Sequence, residues 1–196
     1  MSGIKHNIGV TAVKPKPYRL HKTVVMVGMM GAGKTAVGRA LAARLGVPFL
    51  DSDAEIEAAA NMTIPEIFER DGEPFFRDKE TRVIERLLTE APGILSTGGG
   101  AFLAERNRQA ISRKGVSVCL VAELDVLWNR VKHKDTRPLL RSPDPRATLK
   151  GLYDARMPIY ALADLKVVSD GETSIEAMVD RVISVLETRP DVLTEA

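Results

Sequence analysis

The most constraining stretch is a β-branched apolar run, Val24 to Val27, that passes directly into "GMMGAGKT", Gly28 to Thr35, and from there into an apolar-periodic segment. The pattern G-x-x-x-x-G-K-[ST] needs this setting, a strand before it and a helix after it. Its glycines let backbone N–H groups curl around phosphate oxygens, and the start of the helix adds its positive dipole end. Lys34 then reaches the outer phosphates as a point charge, and the Thr35 hydroxyl is placed for a Mg²⁺ shell. A glycine turn with a surface lysine would not require the full spacing.

Around this loop the chain alternates short apolar runs with helical periodicity, which predicts a parallel sheet covered by helices on both faces. Strands are expected at 24–27, 48–51, 94–97, 116–121 and 165–168. Helices are expected at 34–45, 54–60, 64–70, 74–88, 105–114, 124–131, 146–162 and 174–186. Gly46 should cap the first helix, and Thr63 with Glu66 forms a capping-box signal for the third. Residues 132–145, "KHKDTRPLLRSPDP", carry charges and prolines without periodicity and are expected to form a lid loop.

A chain of 196 residues with 44% hydrophobic content supports one domain. The net charge of +2 conceals an asymmetry, since all 26 acidic residues lie beyond the first 22 positions, which hold five basic ones. Such a run reads as a solvated basic tail, residues 1–20, whose removal should leave stability and activity nearly unchanged. It has no apolar h-region, and no 18-residue apolar span occurs, so neither a secretory signal nor a membrane helix is expected. The single Cys119, within "GVSVCLVAE", has no internal disulfide partner and reads as a small buried hydrophobe in a cytoplasmic protein.

Two acids, Asp51 and Asp53, stand one residue apart at the end of the second strand, where like charges need a cation or hydrogen-bond donors. A nucleotide site brings Mg²⁺, but that ion needs at most one of them. Asp53 is otherwise placed to cap the helix starting "AEIEAAA". After the third strand "STGGGA" offers the bare backbone of Gly98, Gly99 and Gly100, which suits close approach of a small polar ligand. Arg77 in "PFFR" and Arg156 in "DARMPIY" each lie among apolar residues, and their planar forks match a carboxylate. Ion pairs with Glu80 or Asp154 are the ordinary alternative. Phe75, Phe76 and Trp128 read as packing groups, not as platforms for nucleic-acid bases. A guanine-reading Asn-Lys-x-Asp run is missing, and the third strand ends in glycines where a translocating ATPase has adjacent acids.

In order and spacing, "GMMGAGKTAVGRALA", "LDSD", "DGEPFFR", "STGGGA", "TRPLL" and "ARMPIY" resemble the shikimate kinases over roughly residues 21–187, leaving 188–196 as a C-terminal tail. The resemblance implies an α/β P-loop kinase of the nucleoside-monophosphate-kinase type, with five parallel strands in the order 2-3-1-4-5 and a lid. It implies ATP-dependent phosphorylation of the 3-hydroxyl of shikimate, on the route to chorismate and the aromatic amino acids. By the same resemblance ATP is bound by Gly31, Ala32, Gly33, Lys34, Thr35, Ala36, Arg130 and Arg137, with the turn 169–174 near the base. Shikimate is bound by Asp53, Arg77, Gly98, Gly99, Gly100 and Arg156, and Mg²⁺ by Thr35 and Asp51. Lys34, Asp53 and Arg137 carry the catalysis, Asp53 as base or as orienter. Ala36 departs from the hydroxyl residue of many relatives, and residues 1–20 have no counterpart. A monomer without nucleic-acid or membrane partners is expected. A kinase for another polyol acid such as gluconate and a non-catalytic nucleotide-binding regulator are the competing readings, the latter disfavoured by intact Lys34, Asp51, Asp53 and Arg137.

Overall fold

A computed structural model of the chain describes residues 17–133 and 142–196. Its centre is a parallel sheet of β2 (Thr23–Val27), β3 (Phe49–Asp51), β4 (Ile94–Ser96), β5 (Gly115–Ala122) and β6 (Leu165–Ser169), in the order β3-β4-β2-β5-β6. Numbered from the phosphate-loop strand, this is the expected order 2-3-1-4-5. All five residues of β2 are buried, as they must be in a central parallel strand covered on both faces. Val24 is in register with Ile94 on one side and Val116 on the other.

The connection from β2 to β3 through α1 (Lys34–Leu45) travels one way along the sheet. That from β4 to β5 through α4 (Glu105–Lys114) travels the other way. Because such crossovers are right-handed, α1 and α4 fall on opposite faces, and a crevice opens where the direction reverses, at the carboxyl ends of the central strands. Gly46 caps α1, donating to Ala42 and Ala43 carbonyls. Then come α2 (Ser52–Ala60) and α3 (Ile64–Leu87); after β5 come α5 (Leu124–Val131) and α6 (Pro145–Tyr160), and after β6 comes α7 (Ile175–Leu186), which packs on α1.

Two helices are expected over the range of α3, and the structure places the break between them at Gly72, with φ 81° and ψ 170°. The left-handed region admits glycine without a Cβ penalty. The capping box forms as predicted: Thr63 N–H donates to Glu66 Oε2 at 2.7 Å, and Glu66 N–H to Thr63 Oγ1 at 3.4 Å. Phe76 joins Ile56 and Ile67 in a small apolar cluster, its ring centroid 4.7 Å from that of Phe68. Trp128 packs against the main core. Cys119 is buried in β5, and burial pushes its thiol up to about 11, so it behaves as a hydrophobe.

At the chain ends the structure moves the expected boundaries. β1 (Tyr18–Leu20) pairs antiparallel with β7 (Leu193–Glu195), with Leu20 opposite Leu193. Tyr18 and Leu20 pack on the core, and Val192 and Leu193 are buried within it. The bonds His21 N–H to Val192 O and Ala196 N–H to Pro17 O, both 2.8 Å, extend the ribbon. The segments expected as tails through residue 20 and from residue 188 therefore both contribute a packed strand. Three residues per strand carry too short a period to be read locally, and their order comes from a partner at the other end of the chain. Residues 1–16 lie outside the described residues.

Candidate active site

The crevice is a cleft of about 680 Å³ lined by the loop from Met30 to Val37, by Asp53, Thr97, Gly98 and Gly99, and by Arg130, Ser169, Thr173, Ile175 and Met178. The phosphate loop is organised largely by itself. Lys34 Nζ donates to the carbonyls of Gly28 at 2.8 Å and Met29 at 3.0 Å, and Ala32 N–H donates to Met29 O at 3.1 Å. Ala36, the departure noted in the sequence, lines the cleft in the first turn of α1.

Arg130 joins the loop to the far side of the cleft, donating to Gly31 O at 3.2 Å and to Ser169 Oγ at 3.0 Å. The turn beyond Ser169 is fixed by Asp170. It accepts from Glu172 N–H at 3.2 Å and Thr173 N–H at 2.9 Å, from the Thr173 hydroxyl, and from Arg181 at 3.2 Å. The Thr173 hydroxyl and amide are the main reason its carboxyl sits well below the usual range. Ile175 and Met178 add an apolar wall suited to a flat base, which the sequence reading missed. Their i, i+3 spacing after a polar turn was the available signal.

Where the second strand ends, the two acids part company. Asp51, not Asp53, caps α2: its Oδ1 accepts from Asp53 N–H at 3.0 Å and Ala54 N–H at 3.3 Å. The cap expected at Asp53 is displaced because the helix begins two residues earlier than expected, at Ser52. Both capping bonds use Oδ1, which leaves the second oxygen for a cation or its water. Asp51 is in register with Ser96, whose hydroxyl lies 3.4 Å from that of Thr35. Two hydroxyls and a carboxylate at one edge of a phosphate cleft make a hard-oxygen donor set that fits Mg²⁺. Ser96 was not anticipated from the sequence.

Asp53 instead faces the glycine turn, and its Oδ1 is buried with no hydrogen-bond partner among the described residues. Burial, with Asp51, Glu80 and Glu57 adding like charge and Lys34 opposing, pushes its carboxyl up to about 6. The three glycines meet three different side chains. A Cβ on Gly98 would stand 2.7 Å from Asp53 Oδ1, one on Gly100 would stand 2.6 Å from an Arg77 Nη, and one on Gly99 would stand 4.0 Å from Arg156 Nη1. Side chains at the outer two positions would collide with the groups they face, so the bare backbone is what lets them converge.

For Arg77 the ion-pair reading holds, while the same guanidinium faces the glycine turn. Its guanidinium donates to Glu80 at 2.9 and 3.2 Å and to Glu73 at 3.2 Å. Glu80 is 1% exposed, and burial pushes its carboxyl up against the opposing pull of Arg77. Asp154, the other suggested partner, pairs with Lys150. Arg77 and Arg156 do not line the cleft but approach the same glycine turn, at Gly100 and Gly99. Arg137 and most of the expected lid lie outside the described residues.

A crevice that presents a phosphate loop to a buried carboxyl oxygen with no hydrogen-bond partner among the described residues, with two guanidiniums gathered on the same glycine turn, fits a small-molecule phosphotransferase, and the strand order places the chain among the P-loop kinases. Comparison with known proteins narrows this: the chain belongs to the shikimate kinase family, whose model matches residues 30–187. It is 74% identical to a shikimate kinase of Ruegeria pomeroyi over 98% of both chains. Among solved structures, a shikimate kinase from Bacteroides thetaiotaomicron superposes with a TM-score of 0.78 at 32% identity, covering 85% of this chain and 98% of that one. A shikimate kinase from Acinetobacter baumannii in complex with shikimate gives 0.74 at 39% identity, over 85% of this chain and 92% of that one. Among the described residues no helix is long and apolar enough to cross a membrane.

Proposed function

We infer that this chain phosphorylates shikimate with ATP, giving shikimate 3-phosphate and ADP. The observation that carries the reading is the meeting of Asp53, Arg156 and Arg77 with Gly98, Gly99 and Gly100 across from the phosphate loop. Two cationic forks select a carboxylate, and a partnerless buried carboxyl selects a hydroxyl donor. An acid ring carrying hydroxyls satisfies all three groups at once.

In the reaction the 3-hydroxyl oxygen forms a bond to the γ-phosphorus while the bond from that phosphorus to the bridging oxygen breaks. The hydroxyl proton passes to Asp53, whose carboxyl, held near the middle of the pH scale, is suited to accept it. Lys34 leaves the loop carbonyls it now holds and neutralises charge on the outer phosphates. Arg130 supports the nucleotide from the base side, and Arg137 is assigned to the transferring phosphate from its place in "TRPLL". Thr35 and Asp51, the latter through water, would hold Mg²⁺, which when bound spreads the negative charge of the β- and γ-phosphates. The enzyme works as a cytoplasmic monomer in the pathway to chorismate.

ADP release, coupled to a spectrophotometric readout, is the test, run with shikimate, with gluconate and with no acceptor. Turnover is expected with shikimate alone. Equal rates with gluconate would assign a different acceptor, and equal rates without acceptor would make the chain a hydrolase.

A further inference from the structure

The ion pairs of Arg77 travel with it. Its partners Glu73 and Glu80 both lie on α3, so they fix the guanidinium to the helix and leave open how the helix is held against the glycine turn. The approach there is close, because a Cβ on Gly100 would stand 2.6 Å from Arg77 Nη2.

What spans the two is Asn107, on α4 and 0% exposed. Its Nδ2 donates to Ala101 O at 2.8 Å, and its Oδ1 accepts at 2.7 Å from the hydroxyl of Thr81, one turn beyond Arg77 on α3. A carbonyl can only accept, so the amide nitrogen faces Ala101 and the amide oxygen faces Thr81. Thr81 has one hydroxyl proton, which the shorter contact takes. The carbonyl of Arg77, 3.1 Å from the same hydroxyl, accepts instead from Arg106 Nη2 at 2.7 Å. Ala101 N–H donates back to Gly98 O at 3.2 Å, so holding Ala101 holds the glycine turn. Among the described residues Asn107 is the one side chain hydrogen-bonded both to α3 and to this turn. A buried amide partnered at both ends allows little slack, since a shift of either neighbour leaves a polar atom unsatisfied.

We propose that Asn107, through Thr81, is a positioning residue of the acceptor site: it sets the helix that bears Arg77 against the glycine turn, and so sets affinity for the acceptor's carboxylate. This rests on the reading of shikimate as acceptor, with Arg77 on its carboxylate.

The test is steady-state kinetics of the paired variant Thr81→Val with Asn107→Leu, after wild-type turnover of shikimate has been established. Failure of that first step defeats the assignment of the acceptor and not the role of Asn107. Trading both partners for apolar groups of similar shape spares most of the stability that either change alone would cost, so a raised KM does not report unfolding. KM for shikimate should rise about tenfold, while KM for ATP stays within about twofold and kcat within about threefold. In an Arg77→Ala background the same pair should raise KM for shikimate less than about twofold, because its effect passes through Arg77. A KM for shikimate within twofold of wild type, an equal rise in KM for ATP, or a tenfold effect that persists without Arg77 overturns the proposal. Should the paired variant fail to fold by circular dichroism, the wild-type enzyme labelled with ¹⁵N-asparagine supplies the answer. The chain has four asparagines, and substitution of the others assigns the Asn107 side-chain amide. By linkage, a clamp that strengthens carboxylate binding is itself tightened by it. Exchange of the Asn107 amide protons should therefore slow about tenfold with saturating shikimate, but not with an analogue bearing hydroxymethyl in place of the carboxylate; exchange unchanged by shikimate, or slowed equally by both, overturns it.

Discussion

The two ends of the cleft are built in different ways. The phosphate loop is one continuous stretch, and Lys34 is held by carbonyls five and six residues before it. Around the glycine turn, where we propose that the acceptor binds, Asp53 comes from α2, Arg77 from α3, the glycines from the turn after β4 and Arg156 from α6. The first is stabilised by bonds that close within a single turn, the second by the pairing of Arg77 with Glu73 and the buried Glu80 and by the convergence of side chains from separate elements on one glycine turn. Damage to the loop should therefore be confined to chemistry, whereas damage to the acceptor wall should reach stability and acceptor binding together.

The sharpest way to break this contrast is Lys34→Met. It should lower kcat by about 10³-fold through lost charge stabilisation, while Tm shifts by no more than about 2 °C. Near wild-type kcat, or a large loss of Tm, would remove the distinction. Arg77→Ala should do both kinds of damage. KM for shikimate is expected to rise about 100-fold, and stability to fall by about 2 kcal/mol because Glu80 is left buried with only the more distant Arg106 to oppose its charge. Adding Glu80→Gln should restore part of the stability and none of the acceptor affinity, as urea denaturation and kinetics will report.

A smaller effect follows from Asp53. If its ionised form takes the proton, kcat/KM should climb as pH rises through about 6 and then level. Stability runs the other way. A carboxyl raised from 3.8 to about 6 on folding contributes stability that is fully present below about pH 3.8 and is lost as pH rises through about 6. Asp53→Asn should thus be inactive yet more stable than wild type at pH 8, by about 1–2 kcal/mol once partial solvent access is allowed for. A wild-type advantage at pH 8 would count against the burial argument. The smallest effect is expected furthest from the cleft. Deleting residues 1–20 removes β1 and uncovers Leu193, lowering stability by about 1–2 kcal/mol, while kcat is unchanged because no ribbon residue lines the cleft. Equal Tm for this deletion and for deletion of residues 1–16 would show that the ribbon adds nothing.

Much of this was legible beforehand, and unevenly. The strand, loop and helix around Lys34 follow from adjacent residues, and the capping box at Thr63 needs only three positions. Arg77, Arg156 and the glycine run were readable as chemistry but not as geometry, since nothing local says that Gly100 faces one arginine and Gly99 the other. Ser96 gave no signal: a serine ending a strand is commonplace until its neighbours are known. Both supposed tails were misread where they met, because Leu20 and Leu193 look like isolated apolar residues until they are paired.

By itself, then, the sequence determined the phosphate loop, the alternation of strands and helices, the sheet's parallel sense and the inventory of charged groups, all of which depend on backbone geometry and periodicity within a few residues. The tertiary structure alone decided that Asp51 caps a helix beside the Thr35 and Ser96 hydroxyls while the buried Oδ1 of Asp53 has no hydrogen-bond partner among the described residues, and that Glu80 holds Arg77. Those outcomes depend on desolvation. The charge and hydrogen bonding of a buried group are set by whichever residues the fold brings within a few ångströms, and here those residues range from two positions apart, as Asp51 and Asp53 are, to 61 apart, as Thr35 and Ser96 are.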